Sequence, residues 1–486
     1  MIRTRFAPSP TGYLHIGGLR TALFCYLWAK KNKGDFILRI EDTDQKRYVR
    51  GAVNKLIKTL LNAGLPPDEG LVAPGRQKGL YGPYIQSKRL KIYQEAAQEL
   101  VNQGWAYYCF CSNERLEKLK QARQAQKQAP RYDGHCRQLP AIKVQENIKQ
   151  GLQTVIRFKI PNQDTITTHD IIHGQIKISS ADLDDFILLK SDGYATYHLA
   201  HVVDDHLMKI SHVIRGEEWL PSLPKHILLY QAFGYQPPVF VHLPLLLNPD
   251  RSKLSKRQGD VAVEDYLAKG YLPQALLNYT ALLGWNPGTE REFFSLDELA
   301  GEFSLEKLNK AAAIFDVQKL NWFNAEYIRR LIKAGAKEYQ SLVTLTQKFV
   351  SPRNKAEALL KLFGSRINYL AELKEAANFL WQLPNYQGSL LVFKKSDKEK
   401  TLLGLEKSIN ALRQCLAKKW EQKNLFDLLN NIVVENNLTP GDVFWPLRVA
   451  VSGLEKSPSP AEILEFLGPK ESLKRINLAL QKLKKL

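Results

Sequence analysis

The stretch from Arg3 to Asp44 limits the fold more than any other. Residues 3–7 (Arg-Thr-Arg-Phe-Ala) read as a short strand, and Pro8, Pro10 and Gly12 then break the chain. Leu19, Leu23, Tyr26 and Leu27 recur at helical spacing up to Lys31. Residues 36–40 (Phe-Ile-Leu-Arg-Ile) form a second strand, which ends at Glu41-Asp42-Thr43-Asp44. A strand–loop–helix–strand unit joins parallel strands, so it commits this part of the chain to an α/β sheet. Ligands of such sheets bind beyond the carboxyl ends of the strands, where the loops 8–18 and 41–44 fall.

The pattern then changes twice. Residues 87–103 read as a helix, and the segment from Trp105 to about 140 is rich in Cys, Gln and Lys. Short alternating strands follow at 154–158 and 175–178, and α/β character returns over 194–216 with the strand 213–216. The middle block, 105–190, therefore reads as an insertion between two halves of one nucleotide-binding fold, 1–104 and 191–250. After about residue 255 the chain turns strongly helical, with an amphipathic tail from Leu473 to Leu486. The expected fold class is an α/β Rossmann-like domain split by an α+β insertion and followed by an all-α C-terminal region.

Charge narrows the partners. The chain has 69 Lys+Arg against 49 Asp+Glu, a formal net of +20. Such an excess suits a polyanion, because each neutralised phosphate releases condensed counterions. Residues 301–486 alone carry 30 Lys/Arg against 19 Asp/Glu, so no single basic tail is the source. No run of about 18 apolar residues is present, so no transmembrane helix and no membrane partner are expected. The start, Met-Ile-Arg-Thr-Arg-Phe, lacks an apolar signal core, and a cytoplasmic protein is expected.

Five cysteines in 486 residues do not make a disulfide framework. Three of them, Cys109, Cys111 and Cys136, cluster within the middle block, and three thiolates plus one more ligand suit a tetrahedral Zn²⁺. The Cys-x-Cys spacing is less stereotyped than Cys-x-x-Cys, and three free thiols remain the alternative.

Two further constellations carry chemistry. Ser9-Pro10-Thr11-Gly12-Tyr13-Leu14-His15-Ile16-Gly17-Gly18 lies between a strand and a helix, where small residues let backbone N–H groups approach phosphates. Asn248-Pro249-Asp250-Arg251-Ser252-Lys253-Leu254-Ser255-Lys256-Arg257 ends an apolar run with two lysines three apart, which can clamp a triphosphate and stabilise a leaving pyrophosphate. Taken singly, a structural turn and a solvated basic loop explain each as well.

Together they resemble the HIGH and KMSKS signatures of class I aminoacyl-tRNA synthetases. Arg5 to Gly12, Arg39 to Asp44, Tyr197-His198-Leu199-Ala200, Val203 to His206 and Ile214 to Trp219 resemble the glutamyl-tRNA synthetase family specifically. The resemblance runs from about residue 3 to about 330. It implies attachment of L-glutamate to tRNA(Glu) through a glutamyl-adenylate, with ATP and Mg²⁺, by a protein expected to be a monomer. It also implies that the insertion binds the acceptor stem, that 251–330 contacts the stem and that 331–486 binds the anticodon. Whether tRNA(Gln) is charged as well stays open. A glutaminyl enzyme would carry β-barrels after 330, where this chain reads as helical. A short tRNA-modifying paralogue would lack that region, and a binding module without catalysis would not need His15, Lys253 and Lys256.

The resemblance carries roles over one position at a time. His15, Lys253 and Lys256 would be the catalytic set. Arg5 and Arg215 would pair with substrate carboxylates, where a planar fork matches two oxygens. Ala7, Ser9, Glu41 and Tyr197 would hold the amino acid, Glu41 through its ammonium group. His15, Gly17, Glu218, Lys253, Ser255 and Lys256 would hold ATP. Tyr132, or else His135, would complete the zinc set, and Gln138 stands where a histidine would be expected. One departure falls inside the substrate set. The family usually has Asn after Tyr-His-Leu-Ala, and this chain has His201, which if protonated would favour a carboxylate over an amide.

Overall fold

The computed structural model describes all residues except 163–164, 253, 255–261 and 416–419. The chain forms two compact units, residues 1–268 with 273–317, and residues 269–272 with 318–486.

The first unit is built on eleven principal strands. These are β1 (Arg3–Phe6), β2 (Asp35–Leu38), β3 (Glu69–Ala73), β4 (Arg76–Lys78), β5 (Ala106–Cys109), β6 (Val155–Phe158), β7 (Thr165–Asp170), β8 (Gly174–Ser179), β9 (Ile187–Leu189), β10 (His212–Gly216) and β11 (Val239–Leu243). Eight form one sheet in the order β4-β3-β2-β1-β10-β11-β7-β8, parallel except for the two outermost pairings. The two halves expected from the sequence meet where β1 pairs with β10, Thr4 opposite His212. The second predicted strand is shorter than expected. It ends at Leu38, and Ile40 instead bridges to Ile85.

The middle block is not one separate body. Strands β5, β6 and β9 form their own three-stranded sheet, but the β7–β8 hairpin joins the edge of the main sheet, Asp170 opposite Phe240. Periodicity alone cannot reveal this, because an antiparallel hairpin looks the same in either sheet.

Helix α1 (Ile16–Lys31) covers the sheet with Leu19, Leu23 and Leu27 fully buried, each stabilising by about 1.5–3 kcal/mol. His15 caps its start, and Lys30 and Lys31 oppose the negative end of its dipole. Helix α2 (Tyr197–Leu207) packs seven buried residues inward, among them His201, Asp204 and Asp205. Charge in this core is tolerated because it is paired. Arg3 joins three strands through Asp35 at 2.6 Å and Glu69 at 2.8 Å. Arg39 lies between Glu41 at 2.9 Å and Asp205 at 2.7 Å, and Arg89 meets Asp204 at 2.7 Å. Gly70, at φ 94°, is needed where β3 passes β2, since a Cβ there would lie 2.1 Å from the Leu38 carbonyl oxygen.

The second unit has no strand among its described residues. Its helices include α3 (Lys398–Gln414), α4 (Pro440–Ser452) and α5 (Pro460–Lys484). Capping boxes start α4 (Thr439, Asp442) and α5 (Ser459, Glu462). Helix α5 kinks at Gly468, which has φ 72° and precedes Pro469. Gly404 lets α3 approach α4, because a Cβ would stand 2.1 Å from the Asp442 carbonyl oxygen. Buried Arg475 donates to the carbonyls of Phe379, Leu380 and Val451, closing the bundle with one guanidinium. Among the described residues no helix is long and apolar enough to cross a membrane.

Candidate active site

Parallel pairing puts the carboxyl ends of β1, β2 and β10 on one edge, and the loops that leave them wall a cleft of about 970 Å³. Backbone bonds hold the first two loops together. Arg39 N donates to Phe6 O, Glu41 N to Pro8 O and Val49 N to Pro10 O. Arg5, Ala7, Ser9, Glu41, Tyr197 and Arg215 all line this cleft, and so do His15, Gly17 and Glu218.

The floor of the cleft carries the start of α1. His15 Nδ1 accepts the Gly17 N–H at 3.0 Å, so in the neutral ring the proton sits on Nε2. The first turn of α1 has no acidic residue to cancel its positive end, which suits an anion. Lys253, Ser255 and Lys256 lie outside the described residues. The described residues next to them are paired. Leu254 N donates to Leu246 O, Ala262 bridges to His15, and Val263 N donates to Leu14 O. The first signature is therefore paired with Ala262 and Val263, which follow the second in the chain.

One wall is a set of buried charges. Arg5 Nε lies 3.2 Å from Asp205, and Arg5 is 3% exposed. Glu41 accepts from Arg39, yet its carboxyl is held above the usual range, because burial outweighs the nearby Arg39 and Arg5. Arg215 is different. No carboxylate lies in salt-bridge reach of it among the described residues. Its Nη1 donates to Tyr197 Oη at 2.7 Å, its Nε donates to His242 Nε2 at 2.9 Å, and its Nη2 is 3.4 Å from His226 Nδ1. Burial pushes the Tyr197 phenol up to about 12, although Arg215 pulls the other way, so it stays protonated.

His201 stands behind the residues that line the cleft. It is 0% exposed and does not line the cleft. It sits one helical turn after Tyr197 on the inward face of α2, and the Tyr197 ring covers it at 5.2 Å. Nδ1 is 3.5 Å from Arg5 Nη2, and Nε2 is 3.4 Å from Asp205 Oδ2 and 3.5 Å from Arg215 Nη1. Burial first, then Arg215 and Arg5, hold its pKa well below the ordinary value. Protonation, the condition under which His201 would favour a carboxylate, is thus disfavoured, and the imidazole lies between two guanidinium groups.

The sequence also missed residues. His226 and His242 drew no attention, and neither did Asp170. His226 lies between Arg215 and His198, with Nε2 3.2 Å from His198 Nδ1. Trp219, at the rim, packs on Tyr197 at 4.3 Å. His206 stacks on Tyr235, away from the cleft.

The comparisons decide the family. The model of the class I tRNA synthetase (E and Q) catalytic domain matches residues 1–322, and that of an anticodon binding domain matches 341–480. The chain is 48% identical over 489 residues to the glutamate–tRNA ligase of Clostridium novyi (strain NT), covering 99% of this chain and 98% of that protein. The chain belongs to the glutamyl-tRNA synthetase family. It is 45% identical over 487 residues to the glutamate–tRNA ligase of Clostridium tetani, covering 99% of this chain and 98% of that one. A crystal structure of a glutamate tRNA ligase from Elizabethkingia meningosepticum in complex with its amino acid superposes with a TM-score of 0.88 at 35% identity, over 99% of each chain. The glutamate-tRNA synthetase of Elizabethkingia anophelis gives 0.84 at 34%, again over 99% of each chain. The Rossmann-like sheet followed by a helical region is the architecture of this glutamyl-tRNA synthetase family.

The thiol cluster fits a metal. The sulfurs of Cys109, Cys111 and Cys136 lie within 4.8 Å of one another. Tyr132 Oη stands 3.4 Å from Cys109 Sγ and 3.5 Å from Cys111 Sγ, whereas His135 is exposed and outside the cluster. Arg157 Nε approaches Cys109 Sγ at 3.3 Å and Arg115 Nη1 approaches Cys111 Sγ at 3.5 Å. Against the effect of burial, Tyr132 and Arg157 help to lower the Cys109 thiol, whereas burial and the neighbouring thiols push Cys111 up to about 12, and three sulfurs with one oxygen are a donor set that would suit a Zn²⁺.

Proposed function

We propose that the protein attaches L-glutamate to the 3′ end of tRNA(Glu) in two ATP-dependent steps. The glutamate α-carboxylate attacks the α-phosphorus of ATP and pyrophosphate leaves. A ribose hydroxyl of the terminal adenosine of tRNA then attacks the glutamyl-adenylate and releases AMP. The substrate supplies the nucleophile, so the protein positions groups and stabilises charge. Arg215 receives the side-chain carboxylate together with Tyr197, and Glu41 the ammonium. Ala7 and Ser9 shape the loop around the amino acid. His15 and Gly17, at the start of α1, take the phosphates, while Lys253, Ser255 and Lys256 close on them from the second signature. Glu218 meets the adenosine end, and Mg²⁺ accompanies ATP. Cys109, Cys111, Cys136 and Tyr132 hold a structural Zn²⁺ that shapes the acceptor-stem region.

The observation that carries this reading is Arg215, a cation at the cleft wall with no carboxylate in salt-bridge reach among the described residues, in a family whose members ligate glutamate. Aminoacylation of separate tRNA(Glu) and tRNA(Gln) with labelled glutamate tests it. Charging of tRNA(Glu) is expected, and the second tRNA decides discrimination. A folded protein that charges neither tRNA with ATP and Mg²⁺ present refutes the assignment.

A further inference from the structure

Three adjacent strands bring Asp170, His242 and Arg215 into one line. Arg215 on β10 is the register partner of His242 on β11, and β11 in turn pairs with β7, whose last residue is Asp170. The contacts follow that order. Arg215 Nε donates to His242 Nε2 at 2.9 Å, and His242 Nδ1 faces Asp170 Oδ2 at 2.8 Å. All three are buried, His242 and Asp170 fully.

The bonds assign the proton. Asp170 is charged and acceptor-only. Its Oδ1 takes the N–H groups of Ile172 and His173 at 2.9 Å each, and its Oδ2 takes the His242 N–H at 3.0 Å. The His242 ring therefore gives its Nδ1 proton to Asp170, and Nε2 is left as an acceptor for Arg215. Burial and Arg215 keep that ring neutral, with its pKa lowered to about 4 despite Asp170. Every group within hydrogen-bond reach of the Arg215 guanidinium is neutral: His242, Tyr197, His201 and His226. The nearest acid on this side is held one imidazole away. The fork is fixed in direction while its charge stays uncancelled.

We propose that Asp170 and His242 are positioning residues that aim Arg215 into the cleft and so set the affinity for the glutamate side chain. The proposal rests on Arg215 meeting that side chain. His242→Leu removes the acceptor, whereas His242→Gln keeps an acceptor for Arg215 and a donor for Asp170. In tRNA-dependent ATP–pyrophosphate exchange, His242→Leu is expected to raise the glutamate KM about tenfold or more, the range of one hydrogen bond to a charged group. The ATP KM is expected to stay within about twofold, and His242→Gln to stay near the parent value for both substrates. Should His242→Leu fail to fold, Asp170→Asn carries the same test. Its amide turned toward His242 forces the other tautomer and sets a donor against Arg215.

A purely structural role gives a different picture. Active-site titre and kcat would fall with an unchanged glutamate KM, or Gln and Leu would act alike, and either result overturns the proposal. Arg215→Lys separates the two ideas. If it leaves the glutamate KM unchanged, the assignment of Arg215 itself fails. If it raises that KM while His242→Leu and Asp170→Asn do not, only the positioning role fails. Non-additive effects in the Arg215→Lys, His242→Leu double variant are expected, because the second residue acts through the first.

Discussion

Acid should destabilise the first unit through the imidazoles packed around Arg215. His198 and His242 have pKa values lowered to about 3 and about 4, chiefly by burial, and His201 and His226 are pushed well below the ordinary value for the same reason. In the unfolded chain each titrates near 6.5. The unfolded state therefore binds these protons first. The stability they contribute is complete above about pH 6.5 and is lost as pH falls toward the folded values. Between about pH 5.5 and 4.5, His198 and His242 alone take up about 1.8 protons on unfolding, a slope of about 2.4 kcal/mol per pH unit. His201 and His226 steepen it, whereas the raised carboxyl of Glu41 opposes it. A comparison with His198→Gln cancels the other groups. Gln keeps a polar atom near His226 and removes one titrating ring. Equilibrium urea unfolding at steps across this window is expected to give a slope shallower by about 1.4 kcal/mol per pH unit in the variant. Parallel slopes for the two proteins would refute the claim that His198 is held neutral.

Two other outcomes are expected. Tyr197→Phe removes the oxygen 2.7 Å from Arg215 but keeps the ring on Trp219. Because water in the cleft can replace the hydroxyl, kcat/KM for glutamate should fall only about tenfold, with little change in Tm. Purified protein should carry about one Zn²⁺ per chain by elemental analysis, Cys109→Ser should lose it, and His135→Ala should retain it. Retention in the first variant or loss in the second would exclude the set built from Tyr132.

The sequence revealed what depends on local pattern. The turn between Phe6 and Ile16, the helix behind it and the acid three residues after β2 lie close together in the chain, and His15 and Glu41 lie on the cleft. The same holds for Cys109, Cys111 and Cys136, which gather as their clustering suggested. What escaped depends on register between distant strands. Asp170 reaches Arg215 only because β7 docks on β11 and β11 on β10, and nothing in the stretch His169-Asp170-Ile171 announces that. His201 escaped for a second reason. Its motif position indicated the site, but only the helix orientation reveals that Tyr197 stands in front of it.

If Arg215 receives the glutamate side chain as proposed, its surroundings bear on how glutamate is told from glutamine. Arg5, Arg39 and Arg89 are matched by Glu41, Asp204 and Asp205, and among the described residues no carboxylate lies in salt-bridge reach of Arg215. Burying a cation against the cleft in that condition has a desolvation cost, and the imidazoles and phenol lower it by satisfying its donors. They do not supply negative charge. A carboxylate arriving about 4 Å away gains on the order of 4 kcal/mol from that charge at an effective dielectric of about 20, and an amide of the same shape does not. Had an acid stood where His242 stands, the fork would be equally well oriented but already neutralised. The preference would then shrink toward the difference between two hydrogen-bond acceptors, about 1 kcal/mol. Selecting an acid over its amide therefore asks for an arginine held by neutral partners, which is what β10, β11 and α2 assemble around Arg215.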